Sequence, residues 1–199
     1  MSEQKKRICH STSPAEWKFI KERNIANCKV FKIVGETFRH PDGRESEFYT
    51  NKSADWVQCA ALVEDNGKTK VILVNQFRFG IRKTSWEFSG GIIDKNETPI
   101  DAAKRELLEE TGYAGEDAKL LASYSPNPAI HSNTTHIVLI KNCKKIADVS
   151  WDANEEIQIK LVDINKLDSM ISSKKIVHSI AINVVYFLQK YIQKQKILK

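Results

Sequence analysis

GIIDKNETPIDAAKRELLEETGY, residues 91–113, is the stretch from which the rest of the chain is read. Thr98 is a good N-cap, Pro99 suits the first helical position, and Asp101 falls in the first turn. From Ile100 no breaker follows until Gly112, which ends a helix as a C′ residue does. On this predicted helix Glu106, Glu109 and Glu110 stand at i, i+3 and i+4 and share a face. Ala103, Leu107 and Thr111 form a neighbouring stripe suited to packing on a sheet. Like charges at this spacing usually cost about a few tenths of a kcal/mol, so a counter-ion beside them is expected. Carboxylate oxygens are hard ligands, better matched to Mg²⁺ or Mn²⁺ than to zinc. Arg105 can reach Glu109 at i+4 or swing back to Glu97 in the lead-in loop. For an E-x-x-E-E helix taken alone, the plain alternative is a solvated acidic face.

The spacing is more specific than that alternative. Gly, five residues, Glu, seven residues, Arg-Glu, an aliphatic, any residue, Glu-Glu, any residue, Gly and an apolar residue are filled by Gly91, Glu97, Arg105, Glu106, Leu107, Glu109, Glu110, Gly112 and Tyr113. Tyr113 replaces the usual aliphatic. The run resembles the Nudix box of the Nudix hydrolases. DWVQCAAL (residues 55–62), NQFRFG (75–80), WEFSGG (86–91), SPNPA (125–129) and NEEIQIKLV (154–162) look like the branch that cleaves nucleoside diphosphate sugars, with ADP-ribose pyrophosphatases its best-known members. That branch has a proline about fifteen residues after the box, where this chain has Pro128. The likeness spans roughly residues 17–190, strongest in the box and weakest at the ends.

Composition is compatible with this. The chain has 199 residues, 41% hydrophobic and 28% charged, which suits one ordinary packed domain, or one domain plus a small appendage. The four cysteines, Cys9, Cys28, Cys59 and Cys143, form no C-x-x-C pair. That argues against a zinc ribbon and for a reducing cytoplasm. Cys59 reads as a small core residue. No apolar stretch is long enough to span a bilayer, and no signal-peptide core is visible. The net charge of +6 is carried partly by Lys5, Lys6, Arg7, Lys190, Lys194, Lys196 and Lys199. The C-terminal lysines are interleaved with Tyr191 and Ile192, as on a solvated helix face, so a nucleic-acid partner is not expected. The charge can help draw in anionic nucleotides.

Along the chain, residues 1–16 are polar and expected to be loose. Residues 28–35 and 44–50 read as strands around a turn at residues 41–43, and residues 56–64 and 70–77 as strands joined across Asp65-Asn66-Gly67. Further strands are expected at 119–125, 135–140 and 156–163, a short helix at 164–172 and a longer one at 176–195. Periodicity by itself yields a mixed α and β protein. The resemblance implies an α/β fold, a Nudix-type α/β/α sandwich with a mixed sheet. It also implies a small N-terminal β-element at residues 1–53 that helps form a homodimer, ahead of the hydrolase domain at 54–199.

Chemically, the resemblance implies Mg²⁺-dependent hydrolysis of a nucleoside diphosphate sugar, ADP-ribose first, to a nucleoside monophosphate and a sugar phosphate, with Mn²⁺ as a substitute. Glu106 and Glu110 are expected as metal ligands, Glu109 as a ligand or the base, and the Gly90 carbonyl as a main-chain ligand. Glu97 is expected to orient Arg105. The base is expected at Glu155 in a late loop, with Glu156 its neighbour and Glu109 its competitor. Some relatives have a glutamate where this chain has Ala153, which weakens that transfer. Arg78 resembles the arginine aimed at substrate phosphates or the terminal sugar, with a surface salt bridge as the alternative. Glu87 is expected either to bond a ribose hydroxyl or to brace the loop. Trp56 and Phe77 suit base stacking or the core. His131 and His136 lack paired metal spacing, and His136 reads as structural. The competing functions are hydrolysis of nucleoside triphosphates or RNA 5′ ends, and a non-catalytic ligand sensor, which usually loses box carboxylates that this chain keeps.

Overall fold

The computed structural model describes residues 13–151 and 156–197. The chain divides into two compact units, Met1–Ser53 and Ala54–Lys199.

The first unit is an antiparallel sheet of β1 (Lys18–Asn27), β2 (Phe31–Arg39) and β3 (Glu45–Ser53), in that order. The β2–β3 hairpin agrees with the two strands read from the sequence. β1 was not anticipated: nearly all of its residues are exposed, so no apolar alternation marks it. Cross-strand bonding holds it instead. Gly35, in the middle strand, faces Arg23 of β1, and a Cβ there would lie 2.9 Å from the Glu47 carboxyl carbon. Lacking one, it lets Arg23 bond Glu47 of β3 in bidentate fashion, at 2.7 and 2.6 Å. That hydrogen-bonded pairing holds the Glu47 carboxyl down at about 2.

The second unit is built on a six-stranded mixed sheet. Its strands are β4 (Trp56–Asp65), β5 (Lys68–Arg78), β6 (Lys83–Glu87), β7 (Tyr113–Tyr124), β8 (Thr135–Lys145) and β9 (Gln158–Asp163). The order is β6-β5-β4-β8-β7 with β9 also on β5, and only β4–β8 is parallel. The β4–β5 turn uses Asn66 and Gly67 at φ 51° and 71°, the conformation a tight two-residue hairpin demands.

Both faces of this sheet are buried, which explains the continuous apolar runs in β4, β5 and β8. Ala60, Leu62, Val71, Leu73, Ile137 and Leu139 pack against α2 (Leu167–Ser172) and α3 (Ser179–Ile197). Their alternates Val57, Cys59, Ala61, Ile72, Val138 and Ile140 pack against Ala102, Ala103 and Leu107 of α1 (Pro99–Thr111). This is the expected α/β/α layering. In α3, Ile180, Val184 and Leu188 carry the buried stripe.

Several boundaries differ from the sequence reading; β2 runs Phe31–Arg39 and β8 extends to Lys145. β6 is short and unpatterned, and the sequence marks it only as a strand at Glu87 leading into the box, without bounds. β7 begins at Tyr113, directly after the box helix, rather than at residue 119. The long helix begins at Ser179, not residue 176, because Lys175 accepts from Trp86 N (2.9 Å) and Val177 N reaches the Ser85 hydroxyl (3.4 Å). Those bonds hold residues 175–177 along β6. Among the described residues, no helix is long and apolar enough to cross a membrane.

Candidate active site

The box loop reaches its helix by running against β4. Cys59 N donates to Ser89 O (2.8 Å), Val57 N to Gly91 O (2.9 Å) and Ile93 N to Asp55 O (2.9 Å). The close approach explains the glycines. A Cβ at Gly90 would lie 2.1 Å from Val57 O, and one at Gly91 would lie 2.5 Å from Glu106 Oε1. Both positions bring a carboxylate onto the loop: Gly90 N donates to Glu110 Oε2 at 3.0 Å, and Glu106 lies against Gly91.

Helix α1 is capped as read. The Thr98 hydroxyl accepts from Asp101 N, Pro99 opens the first turn, and Gly112 closes it at φ 72°. Its C-terminal carbonyls are taken by residues 146–151. Ile146 N and Ala147 N donate to Gly112 O, Ser150 N to Glu109 O (2.9 Å), and the Trp151 indole to Glu110 O (2.9 Å).

The three helix acids differ in exposure. Glu110 is 4% exposed, the Glu106 side chain 15% and that of Glu109 46%. The counter-charge that the sequence demanded is supplied in this structure by Arg105. Its Nε and Nη2 donate to Glu97 at 3.0 Å each, Nη1 to Glu106 (2.7 Å) and Glu109 (3.1 Å), and Nη2 also to Ile92 O (3.0 Å). All five guanidinium donors are spent. Arginine takes both of the routes left open for it. The Arg105 hydrogen bonds hold the Glu97 carboxyl below its ordinary value, and Glu97 chiefly raises the Arg105 guanidinium. Glu97 also accepts from Asp94 N (3.1 Å) and so ties the loop.

Does this site suit a divalent ion? The donor set is all hard oxygen, and Gly91 leaves room for a carboxylate that a Cβ would displace. One guanidinium also faces three carboxylates, which leaves an excess of negative charge. Among the described residues the acids do not converge as a ready three-ligand cage; Arg105 holds two of them. The residues fit a divalent ion taken up by exchange for arginine contacts.

Arg78 and Glu87 come together, not on a ligand but on each other. Arg78 Nε lies 3.0 and 3.2 Å from the Glu87 oxygens, and Nη2 is 2.6 Å from Oε2. Glu87 is fully buried while the Arg78 side chain is 36% exposed. Arg78 lines a cavity of about 920 Å³ with Phe77, Phe79, Ile81, Glu156 and His178. Glu87 precedes Gly90 by three residues, about 10 Å of extended chain, so β6 links the cavity to the box. Glu155, the expected base, lies outside the described residues. His136 bonds Ser123 (2.8 Å), and Trp56 meets His131 edge-on.

Reading the sequence missed Trp151 and His178. Neither has a partner at a telling spacing; one closes the box helix and the other reaches the cavity only through the fold.

Comparison with known proteins agrees with this geometry. The family model described as NUDIX domain matches residues 56–180. The chain is 28% identical over 175 residues to the methanol dehydrogenase activator of Bacillus methanolicus, covering 87% of this chain and 93% of that one. It is 34% identical over 137 residues to the ADP-sugar pyrophosphatase of Mus musculus, covering 65% and 63%. It is 25% identical over 175 residues to the ADP-ribose pyrophosphatase of Bacillus subtilis, covering 87% and 93%. A crystal structure of an ADP compounds hydrolase superposes with a TM-score of 0.80 over 93% of this chain and 98% of that one, at 18% identity, which speaks to the fold. Box, sheet and matched region coincide, and the chain belongs to the Nudix family.

Proposed function

We propose that the protein hydrolyses the pyrophosphate bond of nucleoside diphosphate sugars, ADP-ribose foremost, with Mg²⁺ as its ion and Mn²⁺ as a substitute. The observation that carries this reading is the pair of box carboxylates drawn onto glycine backbone, Glu110 on Gly90 and Glu106 on Gly91. The names of the mouse and Bacillus subtilis relatives point to the substrate.

In this reading Glu106, Glu110 and the Gly90 carbonyl hold the ion, and Glu109, the most exposed of the three, is a further ligand or the base. The carbonyls flanking Gly90 are already engaged by β4, so its own is the main-chain oxygen we assign. The ion supplies positive charge against the phosphoanhydride. Water forms a new P–O bond, the bridging P–O bond breaks, and the proton lost by water passes to a carboxylate. We assign that proton to Glu155, with Glu109 as the alternative. Arg78 binds phosphate or sugar oxygens through its fork, and Glu87 braces it from behind. Glu97 and Arg105 hold the box loop on its helix.

We further assign the pairing of two copies to the N-terminal unit, whose sheet exposes Phe19, Phe48 and Tyr49. A cytoplasmic setting suits the free Cys28, Cys59 and Cys143.

The test is a release assay, coupled to a phosphatase, with ADP-ribose, GDP-mannose, UDP-glucose, NADH and nucleoside triphosphates in Mg²⁺ or Mn²⁺. A preference for the sugars supports the reading, and a preference for triphosphates overturns it. Glu110→Gln should lose turnover by orders of magnitude while keeping its melting temperature. Full activity in that variant would remove Glu110 from the ion.

A further inference from the structure

Nothing in the box motif points to His178, yet the fold sets it in the cavity beside Arg78. The bonds from residues 175–177 to β6 bring the chain to this point. His178 then begins α3: its Nδ1 accepts from Ile180 N at 3.1 Å, as an N-cap oxygen would. An accepting Nδ1 carries no proton, so the ring is neutral and its proton sits on Nε2. Burial lowers the tendency of His178 to protonate, with Arg78 adding to that and Glu87 opposing it.

The charged groups around the ring are Arg78 from β5, Glu87 from β6 and Glu156 at the cavity wall. Glu87 is committed to Arg78. Phe77 and Phe79 meet edge to face at 5.3 Å and leave an apolar wall exposed. The cavity therefore offers a cation, a neutral N–H donor and an aromatic wall. That combination suits a phosphorylated sugar or nucleoside rather than an apolar ligand.

We propose that His178 is a substrate-binding residue, whose Nε2–H donates to a phosphate or hydroxyl oxygen of the moiety held by Arg78. This rests on the pyrophosphatase reading for the identity of the ligand.

Two variants separate the ring's nitrogens. His178→Asn keeps an acceptor for Ile180 N and loses the distal donor. His178→Gln places an amide N–H near the position of Nε2 and loses the cap. With ADP-ribose, His178→Asn should raise KM about tenfold at unchanged kcat and melt like the wild type. His178→Gln should melt lower and keep a KM within about twofold. A purely structural histidine gives the same melting pattern but leaves the KM of His178→Asn unchanged, and that result overturns the proposal. Calorimetric binding of ADP-ribose in EDTA distinguishes the two claims. If His178→Asn binds about tenfold more weakly than the wild type in EDTA, and the wild type leaves ADP-ribose intact once Mg²⁺ is restored, the enzymatic reading fails and this one stands. If His178→Asn binds as tightly as the wild type, the role of His178 is refuted.

Discussion

Replacing Arg78 by methionine removes the partner of a carboxylate that has no access to solvent. Glu87 is fully buried and accepts all three of its short contacts with Arg78 through both oxygens. Breaking a buried ion pair from one side typically costs about 3–5 kcal/mol, because the remaining charge is left without compensation. Here the guanidinium is 36% exposed to the adjoining cavity, so water can follow where it withdraws. A discounted cost of about 2–3 kcal/mol is therefore expected. For a chain of this size each kcal/mol moves the midpoint by about 2–4 °C, so Arg78→Met should melt about 4–12 °C lower. Adding Glu87→Leu removes the stranded charge, and the double variant should regain most of the loss. The KM of both should stay raised, because the substrate still lacks the arginine. Thermal and urea melts of the wild type, both single variants and the double variant, with ADP-ribose kinetics, measure both effects. Additive stability losses, or an Arg78→Met midpoint equal to the wild type, would show that Glu87 is not a compensated buried charge.

Arg105→Ala leaves Glu106 and Glu109 facing each other without their shared cation, so it should be destabilised in EDTA and restored by millimolar Mg²⁺; equal loss in both buffers would rule out exchange of arginine for the ion. Gly90→Ala drives a Cβ into the backbone of β4 and should cost about 3 kcal/mol or fail to fold, whereas Gly91→Ala meets only the Glu106 carboxylate. Gly91→Ala should melt nearly as the wild type while its ion affinity, read by calorimetry, falls; matching behaviour of the two variants would contradict this division of labour.

The box helix was legible because its signals are local: a cap, a proline, a glycine and carboxylates three and four apart. The same holds for the Asn66-Gly67 hairpin, where two residues adopt the required backbone by themselves. Strand β1 was illegible because burial does not shape it, and β6 was legible only as a strand leading into the box, because its buried positions are polar. β1 is held by ladder bonds and the Arg23–Glu47 bridge over Gly35, and β6 by neighbours on two sides. The site divides in the same way. Glu97, Glu106, Glu109 and Glu110 could be listed from their spacing, and the choice between the two routes of Arg105 dissolved once all five donors were placed. A salt bridge for Arg78 and a bracing role for Glu87 stood among the open readings, but their pairing was not legible, because the ladder sets Glu87 opposite Val74 and Arg78 opposite Lys83 and only the long arginine side chain closes the gap. His178, about a hundred residues further on, needed the fold to reach them.

Trp151 gives the site its own fluorophore. Its indole N–H rests on the carbonyl of Glu110, whose side chain is proposed to grip the ion, so a doubly charged visitor changes the electric field across the ring. With Trp17, Trp56 and Trp86 replaced by phenylalanine, emission from this single indole would report occupancy of the box in real time, without label or turnover.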